Sequence, residues 1–209
     1  MAMQKSKSYR YTSLDVSALA GVAVISGVIF LIASNYVYYP LKGLTPLFPA
    51  MSVIWPVMYG AWFIGGTAAA YIIRKPGAAF FGEFLGGLVE AVLGSSFGIS
   101  VLIWGALQGL ASEAAFAIWK YKRYDYVSMS LAGFLPGLPI QIAGWYMFPD
   151  LYIAVIDYAG YGGLAAFILL HSISGLIIAG ILTKYFIDKI ALTGIFDLFE
   201  IGKEVKKKI

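Results

Sequence analysis

Apolar residues dominate six stretches of this chain, and each is close to the length that an α-helix needs to cross a bilayer. The six predicted spans are residues 14–34, 51–73, 77–94, 99–119, 128–148 and 161–184. A helix that crosses the hydrocarbon core needs about 20 mainly apolar residues. The pattern therefore predicts an all-α polytopic membrane protein, built as a bundle of six transmembrane helices.

The basic residues define a topology for these spans. They precede span 1, fill the turn between spans 2 and 3, lie between spans 4 and 5, and follow span 6. Lys42 is the exception among 15 lysines and arginines. Six spans place all the other basic residues on one side, and such residues favour the cytoplasmic side. We therefore expect a multi-pass plasma-membrane protein with both termini in the cytoplasm. The net charge of +4 is then topological, and nucleic acid is not an expected partner.

The composition changes after residue 184. Residues 1–184 are predicted to form one transmembrane domain, whereas in residues 185–209 apolar and charged positions recur at helical spacing. We expect this second segment to be a cytoplasmic, amphipathic and basic tail on the inner leaflet or against a partner. The outer connection 35–50 combines three prolines with aromatic residues and is expected to be an irregular loop. Residues 149–160 are expected to be a second outer loop.

Small residues recur four positions apart within the spans, which favours close approach of helix backbones. The pairs are Ser17/Gly21, Ala23/Gly27, Gly82/Gly86, Gly105/Gly109 and Gly175/Ala179. Packing inside the bundle is the default interpretation. The alternative, docking on another membrane subunit, applies best to the pairs in span 1.

Three carboxylates occur inside apolar runs, where charge is costly and usually functional. Counted from the basic inner ends at about 1.5 Å per residue, Glu113 lies ~10 Å deep, Glu83 ~12–13 Å deep and Glu90 ~22 Å deep. The same count brings four residues from other spans to the level of Glu90, namely Tyr59, Trp104, Gln141 and His171. Trp55 and Trp145 lie about one turn further out, and Gln108 lies about one turn further in.

Aromatic faces, a carboxylate, an amide and an imidazole at one depth indicate a pocket for a flat, cationic or protonatable heteroaromatic ring. Simpler interpretations remain for several members. Trp55 and Trp145 fit an interfacial aromatic belt. Glu83 fits either the pocket or a structural hydrogen bond, His171 fits a cross-helix hydrogen bond, and Glu113 fits a structural or coupling role.

Several chemistries have no basis in this sequence. The chain has no cysteine and one histidine, which excludes disulfides and a conventional zinc site. A G-x-x-x-x-G-K-[ST] phosphate loop is absent, so the chain itself is not expected to hydrolyse ATP. No cofactor and no catalytic motif are implied.

Two stretches resemble a known family. RKPGAAFFGEFLGGLVEAVLGSSFG, residues 74–98, and WGALQGLASEAAFA, residues 104–117, are similar to the YkoE-type substrate-binding S components of energy-coupling-factor (ECF) transporters, the branch associated with thiamine and its hydroxymethylpyrimidine precursor. The resemblance implies the six-helix S-component bundle and no enzymatic activity. It also implies capture of the ligand from outside, and partnership with a coupling transmembrane protein and two cytoplasmic ATPases.

The resemblance and the depth count together select the candidate binding residues. These are Glu90, Trp104, Gln108, Glu83, Tyr59, Trp55, Gln141, Trp145 and His171. Two alternatives from other classes remain open. One is a membrane-embedded enzyme that acts on lipid or prenyl substrates with Glu90 and His171 as acid and base. The other is an accessory subunit without a ligand.

Overall fold

The fold was obtained as a computed structural model, which describes residues 9–207 apart from the side chain of Ser52. Three of the basic residues that precede span 1 or follow span 6, Lys5, Lys7 and Lys208, lie outside the described residues. The described chain is helical throughout and contains no strand. Seven helices are numbered in chain order: α1 Ser13–Gly43, α2 Trp55–Ile73, α3 Ala78–Val92, α4 Gly98–Ile118, α5 Tyr126–Met147, α6 Pro149–Ala191 and α7 Glu200–Lys206.

Five of these helices, α1, α2, α4, α5 and α6, are long and apolar enough to cross a membrane. Helix α3 corresponds to the predicted span 77–94, but it has 15 residues and two glutamates. At about 1.5 Å per residue it is ~22 Å long, shorter than the ~30 Å hydrocarbon core. The number of membrane crossings therefore depends on α3.

Helix α3 packs against α1, α2 and α4 through glycines. A Cβ atom on Gly27 of α1 would lie 2.8 Å from the Gly86 carbonyl oxygen, and one on Gly109 of α4 would lie 2.9 Å from the Phe80 carbonyl oxygen. Both distances are too short for a side chain, so the helix backbones are in direct contact. Ala23 and Gly27 of α1 thus serve packing inside the bundle. The other pair on α1, Ser17 and Gly21, is exposed, and nothing lies within 4 Å of a Cβ placed on Gly21.

The outer connections contain more helix than expected. Helix α1 begins at a capping box formed by Thr12 and Asp15 and runs through a π-helical segment, Ala33–Tyr38, to Gly43. Helix α6 begins at Pro149, so residues 149–160 are helical as well, and the chain bends at Gly160 (φ 66°). The predictions of an irregular loop over 35–50 and of an outer loop over 149–160 are therefore wrong for most of their length. Pro149 is tolerated because the first turn of a helix needs no donated hydrogen bond from that residue.

The C-terminal segment folds back onto the bundle. Gly194 (φ 91°) lies in the turn that follows α6, and α7 packs against the end of α2. The side chain of Ile201 is fully buried in the apolar cluster that also contains Ala191. Arg74 forms a salt bridge with Glu204 at 2.8 Å. The interface uses only part of the apolar face of this segment, because Ile190, Ile195 and Leu198 are exposed.

Candidate functional site

A cavity lies between helices α1 to α6, at the end of the bundle where α1 ends and α2 begins. Its volume, taken as the space open to the centres of water molecules, is about 60 Å³. All the predicted site residues except Glu83 and Trp145 line it: Trp55, Tyr59, Glu90, Trp104, Gln108, Gln141 and His171. The depth count therefore brought together residues that do surround one space.

The end of α3 determines where Glu90 points. Gly94 (φ 95°) donates its N–H to the Ala91 carbonyl at 3.2 Å, and the Ser95 N–H reaches the Glu90 carbonyl at 3.2 Å. These two bonds form a Schellman motif, which needs glycine in the left-handed conformation. The motif folds Ser95 back over Glu90, and the Ser95 hydroxyl donates to Glu90 Oε1 at 2.8 Å.

A second hydroxyl donates to the same carboxylate oxygen. Ser34, in the π-helical segment of α1, donates to Glu90 Oε1 at 2.5 Å, and the Trp62 indole N–H donates to the Ser34 Oγ at 3.1 Å. Within residues 9–207 no hydrogen bond reaches the other oxygen, Oε2. Glu90 is 2% exposed and lines the cavity, so Oε2 is the oxygen available to a ligand.

Aromatic rings form most of the remaining wall. Tyr59 packs against His171 with ring centroids 4.4 Å apart and against Trp55 at 5.4 Å. On the other side Trp104 stacks on Phe148 at 6.1 Å with an angle of 19° between the ring planes. Such faces attract flat and cationic groups through dispersion and the ring quadrupole.

Hydrogen bonds within and between α5 and α6 orient the polar side chains of these two helices. The Gln141 amide donates to the Gly137 carbonyl at 2.8 Å and accepts from the Tyr152 hydroxyl at 3.0 Å. His171 Nδ1 donates to the Phe167 carbonyl at 2.8 Å. In the neutral ring this leaves Nε2 as a hydrogen-bond acceptor. Phe167 is on the same helix as His171, so this hydrogen bond does not connect two helices, which was the simpler alternative for His171.

Glu83 is separated from the cavity. Its Oε2 accepts the Gly66 backbone N–H at 2.6 Å. With its amide nitrogen facing the available acceptors, Gln108 donates to Glu83 Oε1 and to the Trp62 carbonyl, each at 3.2 Å. Glu83 therefore links α2, α3 and α4, which favours the structural interpretation over a place in the pocket. Trp145 is 44% exposed and does not line the cavity, as expected for an interfacial residue.

Glu113 caps the beginning of α3. Its two carboxylate oxygens accept backbone N–H groups from Gly77 at 2.6 Å, Ala79 at 2.9 Å and Phe80 at 3.2 Å. These donors have no partner within their own helix, and a carboxylate is favourable at that end of the helix dipole. The pKa of the Tyr121 phenol is raised mainly by burial and, to a smaller extent, by a hydrogen bond to Glu113. Glu113 thus holds the beginning of α3 and is not among the residues that line the cavity.

Sequence reasoning missed several residues of the cavity and its network. Ser34, which is not part of the lining, donates a hydrogen bond to Glu90. The lining also includes Phe30, Tyr38, Trp62, Phe97, Phe148, Tyr152 and Phe167. Tyr38 and Tyr152 belong to the connections that were expected to be outer loops. A count of residues between aromatic positions along α1 could have found Phe30 and Tyr38, since both lie on one helical face.

The fold and this cavity define a multi-pass membrane protein with an internal cavity walled by aromatic rings around one carboxylate. The family model described as "ABC-type cobalt transport system, permease component" matches residues 14–139. A relative from Bacillus subtilis (strain 168), "Putative HMP/thiamine permease protein YkoE", is 39% identical over 153 residues, which is 72% of this chain and 73% of the relative.

A solved structure, "Crystal structure of an S-component of ECF transporter", has the same fold. It superposes with a TM-score of 0.82 and 30% identity, and the match covers 95% of each chain. The chain belongs to the YkoE-type family of ECF transporter S components. This is a family of transporters rather than enzymes, so the membrane-enzyme alternative is wrong. It is a multi-pass plasma-membrane protein whose family takes a small-molecule substrate and works with an ECF module.

Proposed function

We propose that this S component captures thiamine or its hydroxymethylpyrimidine precursor in the cavity around Glu90. A separate energising module, made of a coupling transmembrane protein and two cytoplasmic ATPases, then drives uptake. The observation that carries the proposal is the combination of one oriented carboxylate with walls of indole and phenol rings. Thiamine combines a cationic thiazolium with an aminopyrimidine, and both groups suit such walls.

The free oxygen of Glu90 suggests how the ligand is held. Oε2 pairs with the amino edge of the pyrimidine or with the cationic ring, and the indoles of Trp55 and Trp104 stack against the ring faces. Gln141 and His171 close the far side with a hydrogen-bond donor and an acceptor. Because the empty cavity is small, we expect the aromatic side chains to move when the ligand enters.

The topology is part of the same proposal. We infer that α3 completes a six-span bundle with α1, α2, α4, α5 and α6, that both termini are cytoplasmic, and that the cavity opens outward. Residues 1–184 then form the transmembrane binding domain, and residues 185–209 form a cytoplasmic basic tail held against it. The exposed face of α1 around Ser17 and Gly21 is the proposed docking surface for the coupling protein, since a smooth face allows close helix contact.

Titration of the purified protein with thiamine and with hydroxymethylpyrimidine tests the ligand proposal. Trp55, Trp62 and Trp104 line the cavity, so we expect a saturable change in tryptophan fluorescence, confirmed by calorimetry. Glu90→Gln removes the charge and should weaken binding at least tenfold, about 1.4 kcal/mol. Trp145→Phe, outside the cavity, is the matched control and should retain the affinity.

Two results would contradict the proposal. A folded Glu90→Gln variant with unchanged affinity removes Glu90 from the site. A folded wild-type protein that binds neither compound, and whose melting temperature shifts with neither, contradicts the proposed ligand. It would favour the remaining alternative, an accessory subunit without a ligand, because a ligand that binds the folded state must stabilise it.

A further inference from the structure

The turn that follows α3 is held from outside the cavity by one face of α1. Asn35 Nδ2 donates to the Gly94 carbonyl at 3.0 Å, and the Ser96 N–H donates to Asn35 Oδ1 at 2.8 Å. One turn further along α1, the Tyr39 hydroxyl donates to the Ser96 carbonyl at 3.0 Å. Three hydrogen bonds thus fasten residues 94–96 to α1.

The π-helical segment Ala33–Tyr38 presents two different faces to these partners. Ser34 and Tyr38 are buried towards Glu90 and the cavity, whereas their neighbours Asn35 and Tyr39 face the turn. Residues four apart lie on one side of a helix, and adjacent residues do not. Single π-helical turns occur often at functional sites. Here one such segment contacts Glu90 directly through Ser34 and indirectly through the turn.

The directions of the two hydroxyl protons follow from the surrounding donors. Ser34 Oγ already accepts from Trp62, and Ser95 Oγ already accepts from the Phe97 backbone N–H at 3.2 Å. Each hydroxyl therefore directs its own proton to Glu90 Oε1. Both protons reach one oxygen only while the turn holds Ser95 in place, and this arrangement leaves Oε2 free.

We propose that Asn35 is a positioning residue for ligand recognition, although it does not line the cavity. By clamping the 94–96 turn to α1 it fixes Ser95, and through Ser95 it fixes which oxygen of Glu90 faces the ligand. This inference rests on the proposed function for its ligand. It adds that recognition depends on a group outside the cavity, acting through Glu90.

A double-mutant cycle tests the inference with thiamine and hydroxymethylpyrimidine as probes. Asn35→Ala alone should weaken binding about three- to tenfold, and Tyr39→Phe, which removes one bond to the same turn, should have a smaller effect in the same direction. In the Glu90→Gln background Asn35→Ala should change affinity less than about twofold, because residues that act through a shared partner are not additive. Ser96→Ala keeps the backbone bonds of the turn and is the matched control.

Hydrogen exchange of the ligand-free protein supplies a readout that does not depend on the ligand. Asn35→Ala should accelerate exchange in peptides that cover residues 93–98, whereas Ser96→Ala should not. Fully additive losses in the cycle, or unchanged exchange in Asn35→Ala, would overturn the inference. If wild-type protein binds neither probe, the proposed function fails instead, and the exchange result still decides whether Asn35 holds the turn.

Discussion

Gly94 offers a perturbation whose cost can be separated into a backbone part and a functional part. Its φ of 95° lies in the left-handed region, and a Cβ added there would meet nothing within 4 Å. Gly94→Ala therefore introduces no clash. Because alanine disfavours the left-handed conformation, the substitution should lower the free energy of unfolding by about 1–2 kcal/mol. The lower entropy of the unfolded chain offsets about 0.4–1 kcal/mol of this loss.

Gly194 provides a control with the same backbone cost and no link to the cavity. Its φ is 91°, and the nearest atom to an added Cβ is an Asp197 oxygen at 3.4 Å, an ordinary contact. Gly94→Ala and Gly194→Ala should thus destabilise the protein by a similar amount, about 1 kcal/mol. For a chain of this size that is a fall of about 2–4 °C in Tm.

The two variants should differ in ligand affinity. Strain at Gly94 is relieved by opening the Schellman motif, which withdraws the Ser95 hydroxyl from Glu90. We expect Gly94→Ala to bind thiamine or hydroxymethylpyrimidine about three- to fivefold more weakly, whereas Gly194→Ala binds as wild type. Thermal unfolding and calorimetry on the same preparations measure both quantities. Equal losses of Tm with unchanged affinity in both variants would refute the link between this turn and the site.

Two further predictions concern the membrane arrangement. The chain has no native cysteine, so a membrane-impermeant maleimide reacts only with cysteines that are introduced. It should label Lys42→Cys in intact cells, and it should label Lys122→Cys and Lys207→Cys only after lysis. Labelling of Lys122→Cys or Lys207→Cys in intact cells would contradict the proposed topology. The Gly21→Leu variant should retain ligand affinity but should no longer co-purify with the coupling protein. The control Tyr161→Leu, on an exposed part of α6, should co-purify normally. Co-purification of the Gly21→Leu variant would exclude this face of α1 from docking.

The grouping of polar residues from different spans around one cavity was predictable from the sequence, because helix rise converts residue number into distance along the bundle. Tyr59, Glu90, Trp104, Gln141 and His171 came from five separate spans, and all five line the cavity. Depth does not identify the neighbour at that depth. Glu83 lies on the same face of α3 as Glu90, seven residues away, yet it meets the Gly66 backbone N–H.

The connections were the least predictable part of the fold. Three prolines in 35–50 suggested an irregular loop, because proline breaks helices in their interior, and 149–160 was expected to be a loop as well. Pro149 instead lies in the first turn of α6, where it is compatible with a helix, and Pro40 directly follows the π-helical segment of α1. Because these stretches are helical, Tyr38 and Tyr152 line the cavity. The wrong prediction of loops is therefore the reason that both residues were missing from the predicted site.

The same reasoning explains why Ser34 and Asn35 could not be found from their spacing. An amphipathic pattern identifies which side of a regular helix faces the core, but a π-helical turn shifts that side partway along α1. Ser34 and Asn35 are adjacent, yet each bonds a different partner at the end of α3. If one face of α1 docks on the coupling protein, a movement of α1 during docking would pull on the 94–96 turn and on Glu90 together. The contacts that orient the ligand's carboxylate partner would then also connect ligand binding to assembly with the energising module.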